Sequence, residues 1–159
     1  MRRRDAGIPD GYAASKLLYN PCAEFLIVEL RATAKSLHPR RIFARHREDE
    51  RYLQIGNPGE DISYESPVTC EAQPLIAFNS KKFRKSDGGD YTGTDWEGMY
   101  IFDLRSHELS CCVSQADFVA PPPYDERGWI REILGLSNDG SRALRGGRSR
   151  EAPGGRCHD

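Results

Sequence analysis

The chain has 159 residues, of which 38% are hydrophobic, and its 23 basic and 24 acidic residues give a formal net charge of −1. This length is typical of one domain, and the balanced charge argues against both a dedicated nucleic-acid-binding protein and disorder driven by net charge. No apolar run approaches the roughly 20 residues of a membrane-spanning helix, and no apolar segment follows the basic start at Arg2–Arg4, so we expect neither a membrane span nor a secretory signal.

Short apolar runs separated by polar turns dominate the first half of the chain. Strands are predicted at Glu24–Leu30, Arg41–Arg45, Arg51–Ile55 and Leu75–Phe78. The last of these has no polar alternation and is typical of a strand buried on both faces. Ala13–Tyr19 carries a weak helical signal, but it is shorter than a helix that is stable by itself in water. The chain is therefore predicted to be predominantly β.

The segment from Lys81 to Gly98 is rich in glycine, lysine and aspartate and shows no periodicity. We expect an exposed, mobile loop there. Its acidic residues could supply oxygen ligands to a hard cation, but the basic residues just upstream oppose that interpretation. The aromatic residues Tyr91 and Trp96 instead indicate a loop that contacts a partner, and Trp129 is a third candidate, either packed between strands or stacked on a ligand.

The clearest hairpin of the sequence lies in its second half. Gly98–Leu104 and Glu108–Val113 are both strand-like, and Arg105–His107 between them forms a short turn. Beyond the hairpin, Pro121–Pro123 predicts a stiff, extended linker. Trp129–Leu136 predicts one further strand, which is followed by a strong turn signal.

Neither the cysteines nor the histidines are arranged as in a metal or catalytic centre. The 5 cysteines are odd in number and include no C-x-x-C pair, so small buried thiols in a reducing compartment are the simplest interpretation. The 4 histidines have no paired spacing, and the sequence contains no G-x-S-x-G nucleophile elbow. We therefore predict no catalytic residue, no metal ligand and no cofactor.

A repeat organises the predicted strands. A turn leads into a short apolar strand three times, with the turns beginning at Asn20, Ser66 and near Ser137. In the first two units a pair of strands follows. Short strands grouped in fours, with a period of about 45 residues, are typical of β-propeller blades.

This pattern resembles the TolB-like propeller repeat, whose blades combine an S-P-x-x-S-P-D-G-x-x-[IL]-A-F core with an I-Y-[VI]-x-D-L hairpin. Met99–Leu104 matches the hairpin, and Ser137–Leu144 matches the core with Asn138 in place of the proline. Ser66-Pro67 with Leu75–Phe78 matches the core in part. Like WD-type propeller repeats, such a repeat indicates the architecture of a protein and not its activity.

The resemblance implies an all-β partial β-propeller with two blades, the first half of a third and a disordered C-terminal tail. The expected boundaries are an N-terminal extension at 1–18, an incomplete propeller at 19–145 with blades at about 19–65, 66–120 and 127–145, and the tail at 146–159. Because the glycine- and arginine-rich tail lies where the third blade should continue, we expect a truncated chain.

For function, we expect a non-enzymatic, propeller-type scaffold, part of a larger protein, that binds a protein or peptide partner but no nucleic acid and no membrane. The alternative is the propeller portion of a prolyl-oligopeptidase-type serine hydrolase that lacks its catalytic domain, and a metal-dependent propeller enzyme is a third hypothesis. Open blade edges predict self-association and marginal stability. The absence of a signal segment predicts a cytoplasmic location.

Overall fold

The computed structural model of the chain describes residues 10–33, 37–114, 129–138, 140 and 143–149, with 129–134 and 143–149 described by their backbone alone. Within this part of the chain every regular element is a β-strand, so the all-β prediction is confirmed. None of the described residues belongs to a helix that is long and apolar enough to cross a membrane.

The strands form two four-stranded antiparallel sheets and one hairpin, each running as a meander in chain order. The first sheet contains β1 (Tyr12–Asn20), β2 (Phe25–Ala32), β3 (Arg41–His46) and β4 (Leu53–Gln54). The second contains β5 (Ile62–Thr69), β6 (Leu75–Lys85), β7 (Tyr91–Asp103) and β8 (Leu109–Ser114). The hairpin pairs β9 (Trp129–Leu136) with β10 (Ala143–Ser149).

The predicted strands are confirmed in position, although several differ in length. Leu75–Phe78 is the start of the longer β6, and the predicted hairpin over Gly98–Val113 is the antiparallel pair of β7 and β8. Trp129–Leu136 is β9. The predicted strand Arg51–Ile55 is reduced to the two residues of β4.

The weak helix expected at Ala13–Tyr19 is wrong, because these residues belong to β1. Its pairing with β2 extends from Tyr12 opposite Ala32 to Asn20 opposite Phe25, with one bulge. A helix of this length is marginal in water, whereas pairing with β2 satisfies the backbone groups and packs Leu18 against the core.

The sheets extend into the segments that we expected to flank them. β1 begins at Tyr12, within the expected N-terminal extension 1–18, and β10 ends at Ser149, within the expected tail 146–159. The expected proline linker at Pro121–Pro123 lies outside the described residues.

The exposed loop expected from Lys81 to Gly98 is also wrong. β6 continues to Lys85 and β7 begins at Tyr91, so only residues 86–90 form the turn between them. Phe83 is buried in this extension of the hairpin. A Cβ atom at Gly98 would lie 2.7 Å from the carbonyl oxygen of Val113, so this glycine permits the close approach of two strands.

One hydrophobic cluster, which we call the central core, joins the first two sheets. Ile27 and Ile42 of the first sheet belong to it together with Phe78 and Phe102 of the second. The ring centroid of Phe78 lies 4.6 Å from that of Tyr64. Since burying a side chain of this size contributes roughly 1.5–3 kcal/mol, the central core makes the two sheets depend on each other for stability.

The first sheet has a second apolar face, which we call its outer face. Val28, Leu30 and Phe43 are buried there in a cluster whose described members all come from this sheet and its β3–β4 connection. Leu17 and Tyr19 are opposite Val28 and Leu26 in the β1–β2 register and therefore lie on the same face, yet they are 62% and 49% exposed. Part of this outer face is therefore accessible to solvent.

The turns that open successive units are connected by buried polar side chains. The Asn20 amide Nδ2 donates to the Cys70 and Gln73 carbonyl oxygens, each at 2.8 Å. The Cys70 thiol in turn lies 3.2 Å from the Ser137 carbonyl and 2.8 Å from that of Asn138. Asn20, Cys70 and Ser137 thus occupy equivalent positions, in the turns that lead into β2, β6 and β10.

A buried carboxylate holds the first two sheets together near their first strands. Glu29 Oε1 accepts hydrogen bonds from Ser15 Oγ at 2.5 Å and from Arg40 Nη1 at 2.8 Å, while Oε2 accepts from the Ser66 backbone N–H at 2.6 Å. Ser66 has a positive φ of 55° at the bulge in β5. The bond from the Ser66 backbone N–H to Glu29 stabilises this strained conformation.

Candidate functional site

An open groove lies between the first two sheets, on the side where the β1–β2 and β7–β8 turns meet. Its larger half has a volume of about 510 Å3 and is lined by Pro21–Phe25, His46, Leu104, Arg105 and His107. Its smaller half, of about 280 Å3, is lined by Phe25, Ala44, His46, Asp49, Arg51, Tyr52, Leu53 and His107. The two halves share Phe25 and both histidines, so we treat them as one site, the turn-side groove.

The β7–β8 turn places Arg105 and His107 at the groove. The Asp103 carboxylate accepts hydrogen bonds from the backbone N–H groups of Arg105 and Ser106, at 2.7 and 3.0 Å, as aspartate does at tight turns. Leu104 is buried in the central core and its N–H donates to the Pro74 carbonyl at 2.7 Å. The turn is therefore fixed from both sides of Arg105.

The Arg105 guanidinium reaches across the groove to the β1–β2 turn. Nη2 donates to the Cys22 carbonyl oxygen at 2.8 Å and lies 3.8 Å from the Cys22 thiol. Among the described residues no carboxylate pairs with Arg105, and its Nε and Nη1 atoms have no hydrogen-bond partner there. One N–H of Nη2 thus anchors this guanidinium, and its other N–H groups can donate to a ligand.

The opposite wall of the groove contains a glutamate, Glu24, whose charge is paired within the protein. Glu24 forms an ion pair with Arg47, whose Nη1 lies 2.7 Å from Oε1, and the Arg47 backbone N–H donates to the Glu24 carbonyl at 2.9 Å. His46 Nε2 lies 4.0 Å from the second carboxylate oxygen, and the imidazole packs edge-on against Phe25. The charge of Glu24 is therefore largely balanced within the protein.

Backbone strain is concentrated at the groove. Of the three described non-glycine residues with positive φ, Glu24 at 59° and His107 at 61° lie on its two walls, and Ser66 is held by Glu29. This conformation costs a residue with a side chain roughly 1–2 kcal/mol. Such strain is often found where a fold presents side chains for function, and here it orients residues toward the same space.

The smaller half of the groove is mainly apolar. Its walls include Phe25, Tyr52 and Leu53, with Ala44 at the base. The charged residues Asp49 and Arg51 also line it, and the Asp49 carboxylate accepts a hydrogen bond from the Arg51 backbone N–H at 2.9 Å. The site therefore combines a polar half that contains an available cation with an apolar half.

The predicted contact residue Tyr91 lies elsewhere, at the far end of the β6–β7 hairpin. Its ring packs against Phe83 and His38, at centroid distances of 5.3 and 5.5 Å, and its hydroxyl donates to Asp61 at 3.2 Å. The hydrogen bond from the Lys85 ammonium to Asp61 raises the pKa of Lys85 and lowers that of Asp61. Burial raises the pKa of Tyr91.

The second predicted contact residue, Trp96, does not lie with Tyr91. It donates from Nε1 to the Asn79 amide oxygen at 3.3 Å and packs against the cluster formed by Ala77 and Met99. The side chain of Trp129 lies outside the described part of the structure. Tyr91 and Trp96 thus have separate surroundings, and neither lines the turn-side groove.

The sequence does not predict the groove, because none of its residues stands out in its local pattern. The 4 histidines have no paired spacing, and Arg105–His107 indicates only a short turn. The turns that meet at the groove are separated by about 80 residues in the chain, a contact that local patterns do not encode. The strongest local signal for the groove is the turn at Asp103–His107. An aspartate opens this turn, and no glycine is present to take the positive φ that His107 adopts.

Within the described residues no group of three or more His, Cys, Asp or Glu side chains is placed to hold a metal ion. Comparison of the chain with protein-family models, with curated proteins and with solved structures finds no match.

Proposed function

We propose that the chain is a non-enzymatic interaction module, built as a partial β-propeller of TolB-like repeats, that binds a peptide segment of a partner protein in the turn-side groove. The observation that carries the binding function is the groove itself. Its larger half, at about 510 Å3, has the size of an ordinary ligand pocket, which spans about 300–1,000 Å3, and the adjoining half adds about 280 Å3. They also combine apolar walls with a small number of anchored polar groups, as peptide sites do.

Three features support the propeller architecture. Each of the first two sheets is a four-stranded meander, and β9 and β10 form a further antiparallel pair of consecutive strands. β5 contacts both β1 and β9, so the first strands of the three units lie next to one another. The equivalent turns at Asn20, Cys70 and Ser137 contact each other in sequence order. Such stacking of repeated sheets is the organisation of propeller blades.

Binding is tested by selecting ligands for the full chain from a displayed library of random peptides and by comparing it with the His107→Gly variant. Glycine relieves the positive φ of 61°, which offsets the loss of the His107 ring stacked on Phe102, so stability should stay within about 1 kcal/mol. Affinity for the selected peptides should fall at least tenfold because a wall shared by both halves is removed.

The matched control is Thr92→Ala, an exposed residue on the β6–β7 hairpin, which should leave affinity unchanged. If the library yields no binder, or if the selected peptides bind His107→Gly as tightly as the unmodified chain, the groove is not the functional site.

We further propose that a second copy of the chain covers the outer face of the first sheet around Leu17 and Tyr19. Apolar side chains this exposed, beside a buried cluster, are typical of an association surface. In light scattering after size-exclusion chromatography, the double variant Leu17→Lys, Tyr19→Lys should be monomeric at concentrations where the unmodified chain associates. Leu109→Lys, at an exposed apolar site in the second sheet, should associate as before. A monomeric unmodified chain across the whole concentration range would refute this proposal.

A further inference from the structure

We infer that the turn-side groove selects a peptide in which an acidic residue lies two positions from an apolar residue. The carboxylate binds Arg105 in the larger half, and the apolar side chain occupies the smaller half. This inference rests on the proposed peptide-binding function and adds the chemistry of the ligand.

Arg105 is held at a single atom of its guanidinium. Nη2 donates to the Cys22 carbonyl at 2.8 Å, and within the described residues Nε and Nη1 have no partner. Nη2 carries a second N–H group, which together with that of Nε or of Nη1 can donate two parallel hydrogen bonds to a ligand carboxylate. The contact with Cys22 restricts the orientation of the guanidinium and so favours this fork.

A bound anion would meet one carboxylate, one arginine and two histidines in the larger half of the groove. Glu24 also lines the larger half and would repel a carboxylate, but its own charge is engaged by Arg47 at 2.7 Å and faces His46. The His107 ring is stacked on Phe102 and, in the described part of the chain, its nitrogens make no hydrogen bond. The imidazole N–H of His107 can therefore donate to a ligand beside Arg105. Since both Arg105 and His107 offer hydrogen-bond donors, the larger half of the groove favours an anion.

The smaller half of the groove favours an apolar side chain of the ligand. Phe25, Tyr52 and Leu53 form an apolar surface that a polar side chain would leave without hydrogen-bond partners. Asp49 and Arg51 are local to each other, so their charges do not create a single-sign field. An aliphatic or aromatic side chain of the ligand is the favourable occupant.

The two halves of the groove adjoin each other. They share Phe25, His46 and His107, so the two ligand side chains enter on either side of these rings. In an extended peptide, residues at i and i+2 point the same way and are roughly 6.5–7 Å apart, whereas neighbouring residues point in opposite directions. Two side chains that enter the same groove are therefore best placed two positions apart.

The experiment uses fluorescence polarisation with the full chain and four eight-residue peptides in a glycine-serine background. The reference peptide contains Glu-Gly-Leu, and the others replace Glu by Gln, Glu by Lys, or Leu by Ser. We expect the reference to bind at least tenfold more tightly than each of the other three, and we expect added salt to weaken it more than the Gln peptide.

The protein variants separate charge from geometry. Arg105→Gln should bind the Glu and Gln peptides equally, and Arg105→Lys should recover only part of the preference because it lacks the fork. Arg31→Gln, at an exposed arginine of β2, is the control and should keep the full preference. Thermal unfolding of Arg105→Gln should match that of Arg31→Gln, which shows that the loss is not one of folding.

The outcomes distinguish the inference from the proposed function. Binders with no acidic residue, or equal affinity for the Glu and Gln peptides, would overturn the inference while leaving peptide binding intact. A failure to bind any peptide, including those from the random library, would overturn both.

Discussion

Replacement of Phe78 by alanine is expected to lower the free energy of unfolding by about 4 kcal/mol. Phe78 is fully buried in β6, at the centre of the cluster that joins the first two sheets. Its ring lies 4.6 Å from Tyr64 and is stacked on Tyr100 at 6.3 Å, so alanine would leave a cavity bounded by rigid strands. Since small domains have about 5–15 kcal/mol of stability in total, the variant should be close to unfolding.

Urea unfolding measures this loss, with Leu109→Ala as the control, because Leu109 is 38% exposed and its truncation should cost less than about 1 kcal/mol. Hydrogen exchange tests whether the two sheets depend on each other. Ile27 and Ile42 of the first sheet share the central core with Phe78, so in Phe78→Ala the backbone amides of these two isoleucines should also lose protection. Unchanged protection of the first sheet would show that the two sheets are stable independently.

The importance of Phe78 could be inferred from the sequence. Leu75–Phe78 is an apolar run without alternation, which predicts a strand buried on both faces, and Ile76, Ala77 and Phe78 are all buried. The hairpin of β7 and β8 was predictable for a related reason, because two apolar runs flank a short polar turn. Burial and hairpin closure are local properties, so the local pattern of side chains contains them.

The β6–β7 extension shows where local patterns fail. Glycine and mixed charges between Lys81 and Gly98 indicate a loop, yet these residues continue two strands. Phe83 is buried there, and the pair of Lys85 with Asp61 ties the hairpin to β5. Partners from another strand determine the structure of this segment, and a sequence window that contains only the segment cannot reveal them.

The contacts between turns do not involve all of the predicted turn starts. The sequence pattern aligns Asn20, Ser66 and Ser137, whereas the hydrogen bonds between turns join Asn20, Cys70 and Ser137. Ser66-Pro67 has a different role, because the Ser66 N–H binds Glu29 across the sheet interface. The groove was missed for the same reason, since Arg105 and Cys22 meet only when the two sheets pack.

Asn20→Asp is expected to lower the free energy of unfolding by about 3 kcal/mol while conserving the shape of the side chain. The buried Asn20 amide nitrogen lies 2.8–2.9 Å from three oxygens, those of the Thr69 hydroxyl and the Cys70 and Gln73 carbonyls. Aspartate replaces this donor by an acceptor, which directs a buried negative charge at two carbonyl oxygens. The hydrogen bond from the Ala23 N–H to Oδ1, at 2.7 Å, is retained, so the variant isolates the contact between the units.

The pH dependence of this variant tests the mechanism. Burial among carbonyl oxygens should raise the pKa of the introduced carboxyl above its usual value of about 3.9, and the protonated form can again donate one hydrogen bond. A raised pKa in the folded state makes the variant's deficit smallest at low pH and largest once the carboxyl ionises, as pH rises above about 4. Urea unfolding at several pH values, each compared with Asn57→Asp at an exposed site, measures this deficit. A deficit that does not change with pH would mean that Asn20 serves only to fill space, and the turns would then not be joined through its amide.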